Sequence, residues 1–187
     1  MKTPVLKTAR LILRPVTLDD APAIQRQINN WNVVQYLSKD VPWPSPDDGA
    51  HWFLSEVLLP AMERGTCGWA LTEKDGPKSG LIGLVEYRMK KKTEEGGNRG
   101  FWLAEAFWRR GYMTEAVTAI QDWLFFEQGI ESLTVVNAAS NEGSRRVKEK
   151  TGARFVKHIE LAHNSGDSKT EVWEITEKSW KDYRGRA

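Results

Sequence analysis

The residues from Gly100 to Ala116, GFWLAEAFWRRGYMTEA, carry the most specific arrangement of chemistry in the chain: an apolar strand pattern, two adjacent arginines, a glycine, then a helix start. Backbone N–H groups around Arg110, Gly111 and Tyr112 can converge there on an anion, where the helix macrodipole contributes roughly half a positive charge. Gly111 allows a turn conformation that side chains resist, and Arg109 and Arg110 add mobile cations. These types and spacings predict a site for a phosphorylated ligand, a pyrophosphate in particular.

Such a turn needs a strand before it and a helix after it. The helix is marked by Met113, Ala116, Val117, Ile120 and Leu124 at helical spacing, with Gly129 as its stop. The strand is read over Gly100 to Ala106. Upstream, Leu11 to Arg14 alternates as a short strand, and Thr17 with Asp20 forms a capping box for a helix whose buried face is Ala21, Ile24, Ile28 and Trp31. Ser45 with Pro46 predicts a second helix start, Ala50, Phe53, Leu54, Val57 and Leu58 its apolar face, and Pro60 its end or kink. Trp69 to Thr72 and Leu81 to Met89 read as strands joined by a turn at Gly76 and Pro77, and KKKTEEGGN, residues 90–98, as a hairpin loop. Leu133 to Asn137 is another strand and Asn141 to Lys150 a short helix ended by Gly152. Phe155 to Leu161 and Thr170 to Ile175 are closing strands. A meander feeding a strand-helix-strand crossover implies a mixed sheet, parallel only across the crossover, that can part where its hydrogen bonding changes.

At 187 residues with 40% apolar and 28% charged residues, the chain suits one globular α/β domain over residues 1–187. The net charge of +2 is too mild to imply nucleic-acid binding, and the Lys90 to Lys92 run does not interleave with aromatics. Cys67 is the one cysteine, and His51, His158 and His163 lack ligand spacing, so no disulfide framework and no metal site are expected. A reducing cytoplasm fits. No apolar run approaches the ~20 residues of a membrane span.

The chain resembles the Gcn5-related N-acetyltransferase superfamily, within it the RimJ/RimL type of ribosomal-protein alanine acetyltransferase. The likeness rests on TARLILRPVTLDDA, VPWPSPDDGAHWF, GFWLAEAFWRRGYMTEA, NEGSRRVKEKTGARFVKH and the strand order joining them. It implies the acyl-CoA N-acyltransferase fold, a mostly antiparallel, mixed seven-stranded sheet flanked by about four helices, in a monomer or homodimer. It implies acetyl-CoA as co-substrate, with backbone groups of Trp102, Leu103 and Ala104 along the pantetheine arm and Arg109, Arg110, Gly111, Tyr112, Met113 and Thr114 around the pyrophosphate. Asn141 matches an asparagine that contacts the cofactor arm and Ser144 a position facing its sulfur. As residues alone, Asn141 also reads as an N-cap and Ser144 as a helix N3 residue bonding its own backbone; Lys150 and Gly152 read as helix-end structure. Two positions depart from the family pattern: Asn98 where a Glu is frequent, and Glu105 where a proline is.

Acetyl transfer to an amine needs a neutral amine, a polarised carbonyl and a protonated thiol leaving group. An N–H from residues 101–104 can polarise the carbonyl, and Ser144 or Tyr112 can supply the proton. Glu86 is the base candidate, against its plain reading as an outward strand residue. An α-amine with pKa near ~7.7 to 8 is roughly one-tenth neutral at pH 7, a lysine about once in 2,500 molecules, so the residues favour a protein N-terminus or another weakly basic small amine as acceptor. Tyr36, Trp43, Trp52 and Trp69 are candidate walls for it. The alternative is a non-catalytic acyl-CoA-binding domain, motivated by Asn98.

Overall fold

The computed structural model describes residues 1–76, 80–89 and 97–185. Strands β1 (Leu6–Lys7) and β2 (Leu11–Pro15) lead into helices α1 (Ala21–Ile28), α2 (Trp31–Val34) and α3 (Gly49–Trp52), the last continuing through a π-type turn into α4 (Leu59–Glu63). Then follow β3 (Cys67–Glu73), β4 (Leu81–Tyr87), β5 (Arg99–Leu103), α5 (Tyr112–Asp122), β6 (Ser132–Ala138), α6 (Glu142–Glu149), β7 (Arg154–Glu160), β8 (Lys169–Thr176) and α7 (Glu177–Tyr183). The strands form one sheet in the order β1-β2-β3-β4-β5-β6-β8-β7. Every pairing is antiparallel except β5 with β6, the two joined by the α5 crossover. The eighth strand, beyond the seven expected, is the two-residue β1.

Alternation along the strands gives the sheet two apolar faces. Leu11, Leu13, Trp69 and Val85 face one way and pack with Met113, Val117 and Ile120 of α5, Leu124 of the π-type turn over Trp123–Glu127 that continues it, and Trp180 of α7. Val16, Ala70, Leu84 and Trp102 face the other way, against Ile24, Ala50, Leu54 and Leu58. Each buried side chain of this size contributes about 1.5–3 kcal/mol, so the two layers hold the sheet from both sides.

Several elements differ from the sequence expectation, for local reasons. The first helix breaks at Asn29, and Asn30 caps α2 by accepting from the Asn32 N–H at 2.9 Å. Trp31 therefore leaves the buried face and is 40% exposed against Trp43, 5.4 Å between ring centroids. The second helix starts at Gly49 rather than Pro46, because its cap comes from α1: Gln25 Oε1 accepts from the Ala50 N–H at 2.8 Å while its Nε2 donates to Ser45 Oγ and the Pro46 carbonyl. Val57 is exposed and Pro60 does not end the helix, since the wider turn over Phe53–Leu58 precedes it. Strand β5 stops at Leu103, where a 3₁₀ turn over Glu105–Phe107 begins. The Gly76–Pro77 turn and the loop over 90–98, with its lysine run, lie outside the described residues except for Gly76, Gly97 and Asn98.

Candidate functional site

Strands β5 and β6 touch at a single register pair, Arg99 with Val135. Asn98 fixes this junction. Its side-chain amide donates to the Arg88 carbonyl at 3.1 Å and its Oδ1 accepts from the Thr134 N–H at 2.9 Å, while its own N–H donates to the Thr134 carbonyl at 2.7 Å. Beyond it the strands part. β5 stays on β4 and β6 stays on β8, leaving an internal opening lined by two strand edges. In an antiparallel ladder alternate residues turn their backbone groups to the neighbour; the Ala104 N–H donates to the Ile82 carbonyl at 2.8 Å, which assigns Trp102 and Ala104 to β4. Of the three backbone positions expected along the cofactor arm, Leu103 alone faces the opening. Phe101, expected only as one possible carbonyl-polarising N–H within 101–104, shares that edge, and the Leu103 carbonyl is already taken by the Trp108 indole at 2.7 Å.

At the wide end of the opening the chain turns into α5. Arg109 has φ of +61° and Gly111 of +79°, flanking Arg110, an alternation that gathers successive N–H groups into an anion-binding concavity. The first helical bond runs from the Glu115 N–H to the Gly111 carbonyl at 3.0 Å, so the N–H groups of Tyr112, Met113 and Thr114 have no intrahelical acceptor. The loop is tied from behind. Arg10 donates to the Arg110 carbonyl at 2.9 Å and to Glu115 Oε2 at 2.7 Å, and Thr8 donates to Glu115 Oε1 at 2.6 Å. Burial alone would push the Glu115 carboxyl up, but the bonds from Thr8 and Arg10 hold it below its usual range. The Arg10 guanidinium stacks over the Tyr112 ring at 4.5 Å, while the Tyr112 hydroxyl donates to Glu73. That bond raises the phenol's pKa.

Ser144 and Lys148 line the same face of the sheet as Arg99 and Phe101. Asn141 caps α6 through its Oδ1, which accepts from the Ser144 N–H at 2.9 Å, so the capping reading holds. Ser144 Oγ points inward and accepts from Lys148 Nζ at 2.8 Å. Lys148 is 1% exposed and Arg99 4%; Nζ and the guanidinium carbon each lie 5.7 Å from the Phe101 ring centre. Arg99 Nη1 donates to Gln121 Oε1 at 2.6 Å, but its Nε and Nη2 have no partner among the described residues. Burial pulls this guanidinium down to about 10 and holds Lys148 well below the ordinary lysine range, with Arg99 adding to the effect and Glu171 opposing it. Neither cation was foreseen; the available signal was a charge at an inward register of β5 and of α6.

The opposite face differs. Glu86 stands in β4 between Gly68 of β3 and Gly100 of β5 in register, partly exposed rather than turned out to solvent. Arg88 Nη2 holds its Oε1 at 3.1 Å. A Cβ on Gly100 would fall 2.8 Å from that guanidinium and 3.2 Å from Oε1, so the glycine makes room for the pair. Glu105 accepts from Asn30 and Asn32 at 2.7 Å each, fastening the α1–α2 loop, with Trp31 between the two asparagines, beside the end of β5. Trp43 and Trp52 are exposed, and Tyr36 is half-buried. Trp69 is not a wall: it is fully buried on the α5 face, edge-on to Trp123 at 5.6 Å.

A family model described as an acetyltransferase (GNAT) domain matches residues 10–154. The uncharacterized N-acetyltransferase YoaA of Bacillus subtilis is 26% identical over 149 residues, 80% of this chain and 82% of that protein. Among solved structures, a ribosomal-protein-S5-alanine acetyltransferase from Vibrio fischeri superposes with a TM-score of 0.76 at 18% identity, covering 95% of this chain and 99% of that one. The ribosomal L7/L12 α-N-protein acetyltransferase RimL, solved with coenzyme A, does so with a TM-score of 0.73 at 16% identity, covering 94% and 98%.

Proposed function

We propose, from the premise that this chain belongs to the GNAT acetyltransferase family, that it moves the acetyl group of acetyl-CoA to a weakly basic primary amine, a protein N-terminus or a small amine. The observation that carries this is the parted β5–β6 junction, with the positive-φ turn at 109–111 at its wide end. In this reading Arg109, Arg110, Gly111, Tyr112, Met113 and Thr114 receive the pyrophosphate, and the free N–H and C=O groups of Phe101 and the N–H of Leu103 pair with the pantetheine arm as a strand would.

The thioester then lies where both faces of the sheet can reach it. From the α1–α4 side the amine approaches beside Glu86, which takes its proton directly or through water. A backbone N–H of the β5 edge polarises the carbonyl, and Ser144 Oγ protonates the departing sulfur from the other side. Holding an α-amine of pKa near ~7.7 to 8 in place leaves little work for a strong base. Asn98 joins three strands, so its amide in place of a carboxylate serves the sheet junction and is no sign of lost catalysis.

The test is CoA release from acetyl-CoA with peptides beginning in Ala or Ser, small amines and an Nα-blocked lysine. Faster turnover of α-amines or small weak amines than of the blocked lysine supports the reading, and no turnover with any of them removes it. Glu86→Gln is expected to cut the rate by about tenfold and flatten its pH dependence; an unchanged rate and profile would dismiss Glu86 as the base.

A further inference from the structure

Lys148 stands one helical turn beyond Ser144, sealed from solvent. Its Nζ has a single hydrogen-bond partner among the described residues, Ser144 Oγ at 2.8 Å. The charges that reach it come from two strands. Arg99 of β5 repels its ammonium form; Glu171 of β8 attracts it, but Glu171 is already held by Arg145 at 2.6 Å and by Asn137 at 3.0 Å. The Phe101 ring centre lies 5.7 Å from Nζ. A buried ammonium with one neutral hydroxyl for company is costly, and burial and Arg99 together bring it toward giving up its proton. The group to which it would yield that proton is in contact with it, and the Phe101 ring near Nζ belongs to the strand that edges the opening.

We propose that Lys148 is a positioning residue that shares one proton with Ser144 Oγ and the sulfur of bound CoA, so that the thiolate is protonated from within the protein. This rests on the acetyl-CoA reading of the opening. As the amine nitrogen bonds to the carbonyl carbon, the C–S bond breaks and its electron pair stays on sulfur. Sulfur takes the Ser144 hydroxyl proton, Oγ takes one from the Lys148 ammonium, and Lys148 is left neutral. The proton lost by the attacking nitrogen leaves on the opposite face through Glu86 to solvent. Once CoA departs, Lys148 regains its proton from water through Ser144. Arg99, fixed by Gln121, contributes a positive field that steadies the electron pair left on sulfur as the C–S bond breaks.

Three groups sharing one proton titrate as a unit, which gives a readout independent of any acceptor. The ultraviolet absorbance of the thiolate of bound CoA is followed against pH, with CoA affinity measured alongside by calorimetry. In the wild type the bound thiol is expected to ionise at lower pH than free CoA. Lys148→Met is expected to move that transition up by about one pH unit, a tenfold loss of thiolate at fixed pH, with CoA affinity little changed. Ser144→Ala should do the same, and the double variant no more than either alone. Lys148→Gln keeps a donor to Ser144 Oγ but exchanges no proton; it should titrate like the Met variant and substitutes for it if that one misfolds. Superimposable titrations of wild type and both Lys148 variants overturn the shared proton. Failure of the wild type to bind CoA saturably overturns instead the cofactor reading beneath it.

Discussion

The two faces of the sheet present different kinds of group. On the α5–α6 side the groups aimed at the opening are backbone N–H donors, a left-handed turn and a sealed set of polar side chains, each braced by neighbours: Arg110 by Arg10, Ser144 by Lys148, Arg99 by Gln121. On the α1–α4 side they are surface side chains and loop aromatics, Glu86 with Arg88, Glu105 with two asparagines, Trp31 with Trp43. Backbone recognition suits a ligand whose chemistry is fixed. Side chains on loops can be exchanged without disturbing the core, which suits a partner that differs from relative to relative.

If the division is real, changes on one face should leave the other's binding alone. The largest effect is expected from Gly111→Val, which places a β-branched residue at φ of +79° and should weaken CoA binding by more than tenfold, roughly 1.4 kcal/mol or more. Calorimetry against CoA checks it, and unaltered affinity would break the donor half of the comparison. Asn98→Leu comes next, because Asn98 sits at the apex that both faces share. Leaving the Thr134 N–H and Arg88 carbonyl unpaired should cost about 1–3 kcal/mol of unfolding free energy in urea titration, with both donor and acceptor KM disturbed. The smallest is Glu105→Ala. Freeing Asn30 and Asn32, it should raise acceptor KM by a few-fold, on the order of 0.5–1.5 kcal/mol, with acetyl-CoA KM constant; a matching rise in acetyl-CoA KM would show the faces to be coupled.

What could be read from residues alone follows from how local each cause is. Helix α5 was legible because Met113, Ala116, Val117, Ile120 and Leu124 repeat at its own period, and all five are buried. The Gly111 turn was legible because a left-handed residue favours glycine. The start of α3 was not, since its cap, Gln25, is 25 positions upstream. Neither was the assignment of Trp102 and Ala104 to β4, which depends on register and not on residue type. Arg99 and Lys148 were hidden differently: a charge is ordinarily assigned to solvent, and only their burial on either side of the Phe101 ring shows that these two point inward. At the other end of the chain, Thr176 and Ser179 cap α7, a polar pair visible in sequence whose helix has too few residues for its period to register.

The single register pair between β5 and β6 also bears on how the protein behaves with nothing bound. Two strand edges with open hydrogen-bonding groups inside one sheet invite pairing with any extended chain, so the empty form should be the less soluble and the quicker to exchange the amide hydrogens of Phe101 and Leu103. An occupant of that gap acts as a surrogate strand. At a hundredfold excess over its Kd it adds about 2.7 kcal/mol to stability, enough for a thermal shift to rank candidate cofactors before any acceptor is known.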